Sequence, residues 1–399
     1  MTTQEPIGEW FGAVPEWRRG QRILAAATGI LFVAFCALAP LLWLVARPTR
    51  MISNAPPPRW EWSAIQDGSA MRALETHAKE TSWVTFHMRG VLNEALFRIG
   101  LLENDQVTIG RDGWLYFAET LLWKPMELAA TREKRRAVLR QAMEATAAND
   151  VRLLVVPVPD RVTIHPEHLP PLRPADPGRL GLYDEILADL SAVGVPHVDV
   201  RSAFLAHKAA HPDDELYFRR DTHWSLSGQL LTADLVKNEI AKRGWAPLVP
   251  ACPDIVVEQT MRRPMVPGLV AMLGLRLEVD VPDDRGSAFL RGLFEDWTWR
   301  PIGIRDPSGR VGPIPMEQDD AKVALCGTSF SESFGLQLIG TLGARVDRRG
   351  VSSTGRSFGG FRAVLRSLGK NGFTPRILVW EFVQREYQAD WLEVGSLRD

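Results

Sequence analysis

From about residue 130 the chain alternates between short apolar runs and amphipathic stretches. The apolar runs are Val151–Pro157 (VRLLVVP), Val195–Val200, Lys322–Cys326 (KVALC) and Arg376–Phe382 (RILVWEF). Between them, Thr131–Ala148, Tyr183–Val193, Leu226–Arg243, Ser331–Leu342 and Phe358–Leu368 read as helices. A strand that is apolar at nearly every position needs cover on both faces. Strands separated by helices run parallel. The pattern therefore predicts an open three-layer α/β sandwich with a parallel central sheet. Residues 250–320 break the rhythm, are rich in Pro, Gly and Asp, and read as an insertion.

Upstream, residues 62–103 read as largely helical. Gly110-Arg111-Asp112-Gly113-Trp114-Leu115-Tyr116-Phe117 reads as a turn entering an aromatic strand. Ser53–Pro58 (SNAPPP) reads as an extended linker. Ile23–Ala46 contains 24 consecutive residues without a charge. As a helix it would span about 36 Å, against about 30 Å of bilayer hydrocarbon. A signal peptide has an apolar core of only about 7–15 residues, and a buried core helix is rarely so long and uncharged. The expectation is therefore an uncleaved transmembrane helix. Arg18, Arg19 and Arg22 flank one end and Arg47, Arg50 and Arg59 the other, so charge alone does not orient it.

Lys and Arg number 47 against 48 Asp and Glu, a net charge of −1, which argues against nucleic acid as the main partner. Three cysteines are too few for a disulfide framework. Cys252 and Cys326 could pair, although Cys326 falls in an expected buried strand. The 45% hydrophobic and 24% charged composition excludes a polytopic membrane protein and a disordered chain.

In open α/β sheets the active site gathers beyond the carboxyl ends of the strands. Two segments there carry reactive side chains. In Leu325-Cys326-Gly327-Thr328-Ser329-Phe330-Ser331, Ser329 leaves a strand where a helix begins. Backbone N–H groups at that helix start can stabilise an oxyanion. The competing reading is that Ser329 or Ser331 caps the helix. In Leu216–Ser225, Asp221 and His223 are two residues apart and would point the same way from an extended segment. An aspartate so placed can fix an imidazole's tautomer. The competing reading makes Asp221 a helix cap and His223 a surface residue. Trp224 could shield the pair or stack on a sugar. Taken together, Ser329, His223 and Asp221 supply nucleophile, base and orienting acid. His207 and His211 fit a solvated helix end better than a ligand pair. There is no metal-ligand motif, Walker motif or Gly-x-Gly-x-x-Gly, so no metal or other cofactor is expected.

Asp221-Thr222-His223-Trp224 resembles the Asp-x-His-Trp signature of the alginate O-acetyltransferase family, membrane-anchored SGNH-hydrolase-like proteins. Gly110–Phe117 (GRDGWLYF), Val156–Pro170 (VPVPDRVTIHPEHLP), Gly327–Ser331 (GTSFS) and Val379-Trp380-Glu381-Phe382 with Arg385 resemble further blocks of that family, in its order, over about residues 95–390. The chain departs from the family at Phe330, often Tyr, at Val383-Gln384-Arg385, often Pro-Glu-Arg, and at Cys326, where small apolar residues are usual.

The resemblance implies an SGNH-like catalytic domain over 95–390, with 250–320 inserted, behind a cytoplasmic tail (1–22), a transmembrane helix (23–46) and a linker and helical region (47–94). It implies acetyl transfer to a polysaccharide acceptor through an acetyl-serine on Ser329, with His223 as base and Asp221 as its partner. It also implies a membrane-bound O-acyltransferase as donor partner and an inner-membrane, single-pass topology with the catalytic domain in the periplasm. Arg356, in the Ser352–Gly360 segment, and Arg385 fall where oxyanion or substrate contacts are expected. A polysaccharide acetyl esterase, or a non-enzymatic scaffold of the export complex, is the alternative.

Overall fold

The computed structural model describes residues 30, 61–81, 83–99, 102, 105–122, 125–171, 174–275, 293–351 and 357–389. The chain divides into two compact units, Met1–Leu101 and Leu102–Asp399. In the first, helices α1 (Trp62–Gln66), α2 (Ser69–Thr81) and α3 (Trp83–Arg98) fill the region expected to be helical. Gly68, at φ 75°, turns the chain between α1 and α2.

The expected N-terminal transmembrane helix is not supported. Among the described residues, no helix is long and apolar enough to cross a membrane. The expected span, 23–46, lies outside the described residues apart from Ile30. Helix α4 (Pro125–Ala147) has the length at 23 residues, but Arg132, Glu133, Lys134, Arg135, Arg136 and Arg140 make its burial in hydrocarbon prohibitive. The expected membrane attachment through the N-terminal helix and the single-pass inner-membrane topology are likewise not supported.

The second unit is built on a four-stranded sheet, β10-β9-β11-β3, parallel throughout. Its strands are β3 (Arg152–Val158), β9 (Val323–Gly327), β10 (Val346–Val351) and β11 (Ile377–Val383). All seven residues of β11 are buried. Its side chains alternate between two separate cores. Ile377, Val379 and Val383 join Leu154, Val156 and Leu325 on one face; Leu378, Trp380 and Phe382 join Leu153, Val155 and Cys326 on the other. This is why the strand reads as a continuous apolar run.

The first face is covered by helices α7 (Val200–Ala210), α8 (Leu226–Lys242) and α10 (Phe330–Leu342). The second is covered by α4, α6 (Pro177–Val193) and α11 (Ser357–Ser367). Local chemistry sets the helix starts. Asp176 accepts from Gly178 N at 2.7 Å ahead of α6, Asp199 from Ser202 N at 3.0 Å ahead of α7, and Ser225 from Gly228 N at 3.3 Å ahead of α8. Gly194, left-handed at φ 80°, ends α6. The expected strand at 195–200 shrinks to one bridge, Val155 with His197, because Asp199 and Val200 are taken by the start of α7.

Consecutive crossovers lie on opposite faces. Helix α10 joins β9 to its neighbour β10 on the first face. Helix α11 then carries the chain back across the second face to β11, on the other side of β9. The winding reverses at β9, so a crevice opens beyond its carboxyl end. The hairpin of β1 (Val107–Ile109) and β2 (Leu115–Phe117) precedes α4. The 250–320 region forms two small antiparallel sheets. One holds β4 (Ile255–Val257), β7 (Ile302–Arg305) and β8 (Val311–Pro313). The other pairs β5 (Met261–Met265) with β6 (Glu295–Trp299). Short helices α5 (Arg161–Ile164), α9 (Gly268–Met272) and α12 (Glu386–Ala389) complete the unit among the described residues.

Candidate active site

Ser329 sits in the crevice, one residue before α10. It occupies the N-cap position, but its hydroxyl makes no cap hydrogen bond. The capping role falls to Thr328, whose Oγ1 accepts from Phe330 N at 3.2 Å. Ser329 Oγ instead lies 3.0 Å from His223 Nε2. The cap reading of Ser329 is thereby displaced by a contact 106 residues away in sequence.

Asp221 and His223 are carried by the loop 216–225, which closes on itself. Tyr217 and Trp224 form an antiparallel bridge, and Ser225 N donates to Leu216 O at 3.0 Å. A buried guanidinium fills the loop: Arg161 Nη1 donates to the carbonyls of Phe218 (2.6 Å), Arg219 (3.1 Å) and Asp221 (2.5 Å). Burial lowers the Arg161 pKa to about 10, which leaves it charged at neutral pH. The two catalytic candidates meet through a turn, and the extended segment expected from their spacing is absent. Asp221 Oδ1 accepts from both His223 N at 3.0 Å and the ring at Nδ1, 2.6 Å away. The helix that follows is capped by Ser225, so Asp221 is free for the imidazole.

The Asp221 side chain is 5% exposed and that of His223 is 29%. Burial alone would push the Asp221 carboxyl up. The His223 ring, together with the Gly268 and His223 backbone N–H groups, outweighs burial and holds it below its ordinary value. Gly268 N donates to Asp221 Oδ2, and Glu295 accepts from Arg219 N and, at 3.1 Å, from Arg220 N. Both Gly268 and Glu295 belong to the inserted region, which thus buttresses the 216–225 loop.

Trp224 is fully buried, its Nε1 donating to Phe330 O at 3.2 Å and its ring packed on Phe330 and Phe334. It ties the histidine loop to α10 and offers no face to a sugar. Arg385 lines a small cleft with Phe117, Thr120, Asp160, Arg161, Thr222 and Phe330. Its guanidinium lies 5.7 Å from the Phe117 ring centroid, 5.5 Å from that of Phe330, and 3.4 Å from Asp160. Asp160 is also paired with buried Arg179. Arg179 and Arg385 thus both face the Asp160 carboxylate. Arg356 lies outside the described residues. His207 pairs with Asp214 at 2.8 Å near the end of α7, and Cys252 and Cys326 are free thiols.

Behind Ser329, the buried Glu381 of β11 accepts from Thr328 N at 2.8 Å and from Ser331 Oγ at 2.9 Å. A lone carboxylate inside the apolar run RILVWEF was the available sequence signal for it. Among the described residues, one cluster could hold a metal ion: ligand atoms of His165, Glu167 and His168 lie within 4.8 Å of one another. Lys208 Nζ already supplies a cation there, 2.7 Å from Glu167 Oε1.

The chain is similar to known proteins. A family model described as "SGNH hydrolase-like domain, acetyltransferase AlgX" matches residues 107–270. The chain is 26% identical over 298 residues to the "Probable alginate O-acetylase AlgJ" of Pseudomonas aeruginosa, covering 72% of this chain and 74% of that one. It is 24% identical over 400 residues to the protein of the same name in Pseudomonas syringae pv. tomato, covering 93% of each. The "O-Acetyltransferase Domain of Pseudomonas putida AlgJ" superposes with a TM-score of 0.55 at 20% identity, over 71% of this chain and 92% of that one. None of these similarities gives evidence of a partner acyltransferase, and that expectation is withdrawn along with the membrane-anchored form of the resemblance. In sequence and fold, the chain is similar to SGNH-hydrolase-like alginate O-acetylases.

Proposed function

We propose that the protein transfers acetyl groups to hydroxyls of an exopolysaccharide through an acetyl-serine on Ser329. The similarities support a catalytic role in exopolysaccharide O-acetylation or ester hydrolysis within the SGNH superfamily. The observation that carries the finer reading is the line of contacts from Asp221 Oδ1 to His223 Nδ1 (2.6 Å) and from His223 Nε2 to Ser329 Oγ (3.0 Å).

In the first step the Ser329 Oγ–H proton passes to His223 Nε2 as Oγ bonds to the acetyl carbonyl carbon. Asp221, ionised at neutral pH, stabilises the imidazolium. The developing oxyanion is met by the Ser329 N–H, which has no hydrogen-bond partner among the described residues and lies at the N-cap of the 13-residue α10. Arg385 adds positive charge from the cleft. Collapse breaks the bond to the donor's leaving oxygen, which takes the proton from His223. A sugar hydroxyl then gives its proton to His223 and attacks the acetyl carbon, and Ser329 leaves with that proton.

The test uses a soluble acetyl ester with and without an acceptor oligosaccharide. Ser329→Ala should lose turnover by about 1,000-fold or more, the scale of losing an activated nucleophile. Wild-type turnover in that variant would refute the reading. Acetate release indifferent to acceptor would instead indicate an esterase.

A further inference from the structure

Glu381 is a carboxylate that the proposed acetyl transfer does not use. It is fully buried in the central strand β11, and its neighbour Trp380 pairs with Cys326 of β9. Its oxygens are occupied by the residues on either side of Ser329. Oε2 accepts from Thr328 N at 2.8 Å, Thr328 Oγ1 at 3.0 Å and Ser331 Oγ at 2.9 Å, and Oε1 lies 3.1 Å from Thr328 Oγ1. The same Thr328 hydroxyl accepts from Phe330 N. The carboxyl therefore holds residues 328 and 331 directly and residue 330 through one relay.

The turn is built around this carboxyl. A Cβ added at Gly327 would lie 2.4 Å from both Glu381 Oε2 and Ser331 Oγ, so no larger residue fits while the network is in place. Burying a carboxyl is costly unless its oxygens are satisfied. A merely apolar strand would pack here without that cost, as its neighbours Trp380 and Phe382 do. The Thr328 N–H is thereby taken up, while the Ser329 N–H has no hydrogen-bond partner among the described residues.

We infer that Glu381 is a positioning residue, which sets the aim of the Ser329 hydroxyl and N–H by clamping Thr328 and Ser331. The inference rests on Ser329 being the nucleophile. The clamp works by accepted hydrogen bonds. Glutamine can keep them by turning its carbonyl oxygen to the Oε2 position, whereas leucine cannot.

The experiment treats the full chain with phenylmethylsulfonyl fluoride and follows labelling by intact mass. The end point counts correctly folded sites, and the rate constant reads the reactivity of Ser329. Glu381→Leu and Thr328→Val should reach the wild-type end point about 10–100-fold more slowly, the scale of a sub-ångström misplacement. Glu381→Gln should stay within about threefold of wild type. If Glu381→Leu fails to fold, Thr328→Val decides. Wild-type rates in the leucine and valine variants would overturn the inference. So would a glutamine variant as slow as leucine, or a loss confined to the end point. Labelling of Ser329→Ala, or no labelling of the wild type, would sink the nucleophile reading itself, a result separable from failure of the clamp.

Discussion

Gly268→Ala tests whether the inserted region belongs to the catalytic apparatus. Gly268 begins α9, and its N–H donates to Asp221 Oδ2. A Cβ built there stands 2.9 Å from that oxygen. A carbon–oxygen contact is comfortable at about 3.3 Å, so the carboxylate must retreat by about 0.4 Å. Its two oxygens move as a rigid unit, so the 2.6 Å bond from Oδ1 to His223 Nδ1 is disturbed with them. If misplacement costs up to about 100-fold per ångström, 0.4 Å costs about five- to tenfold in kcat. Gly268 has no left-handed backbone to lose, and alanine favours a helix, so the melting temperature should stay within a few degrees of wild type. The assay is kcat and KM for a soluble acetyl ester beside a thermal melt. The expected split is a lower kcat with KM and Tm unchanged. Wild-type kcat would refute the idea that the insertion orients Asp221, and a large fall in Tm would show that the glycine serves packing alone.

Two buried groups predict opposing pH effects on stability. Burial raises the Glu381 carboxyl to about 7, so the folded protein binds more protons than the unfolded chain from about pH 4.5 to 7, and stability falls as pH rises through that window. Burial lowers His165 to about 4, so the unfolded chain binds more protons from about pH 4 to 6.5, and stability rises there. Each shift corresponds to roughly 3 kcal/mol at 1.36 kcal/mol per unit, so the two nearly cancel in the wild type. Denaturant midpoints across pH 4–7 should therefore be flatter for wild type than for Glu381→Gln, which should gain stability with rising pH; parallel curves would contradict this. Trp224→Phe keeps most of the ring packing but loses the bond to Phe330 O, for an expected destabilisation of about 1 kcal/mol in urea unfolding. Asp221→Ala should lower kcat by about 1,000–10,000-fold with Ser329 and His223 intact, measured on the same soluble ester, and a loss under tenfold would remove Asp221 from the relay.

The layers of the sheet were legible in the primary structure because the cause is local. Strands β3, β9 and β11 are covered on both faces, so their residues are apolar in succession, and the helices carry their own caps at Asp176, Asp199 and Ser225; β10, where Asp347, Arg348 and Arg349 interrupt any apolar run, was not legible. Ser329, His223 and Asp221 were legible as reactive types at a strand end and in one loop. Their spacing misled about the means, since Asp221 reaches His223 through a turn wound on Arg161. The uncharged run 23–46 carried an expectation of membrane crossing that no described helix supports.

Sequence by itself determined β3, β9 and β11 and the helices α4, α6, α8, α10 and α11, because burial on two faces and capping act over a few residues. Tertiary structure alone decided what those segments do to one another. The 3.0 Å contact between residues 223 and 329, the hold of Gly268 on Asp221 and the clamp of Glu381 on Thr328 and Ser331 each join positions 47 to 106 residues apart. Such contacts follow from the reversal of winding at β9 and from the folding back of the inserted region. No local pattern encodes either, since each side chain's neighbours are chosen by how whole layers pack.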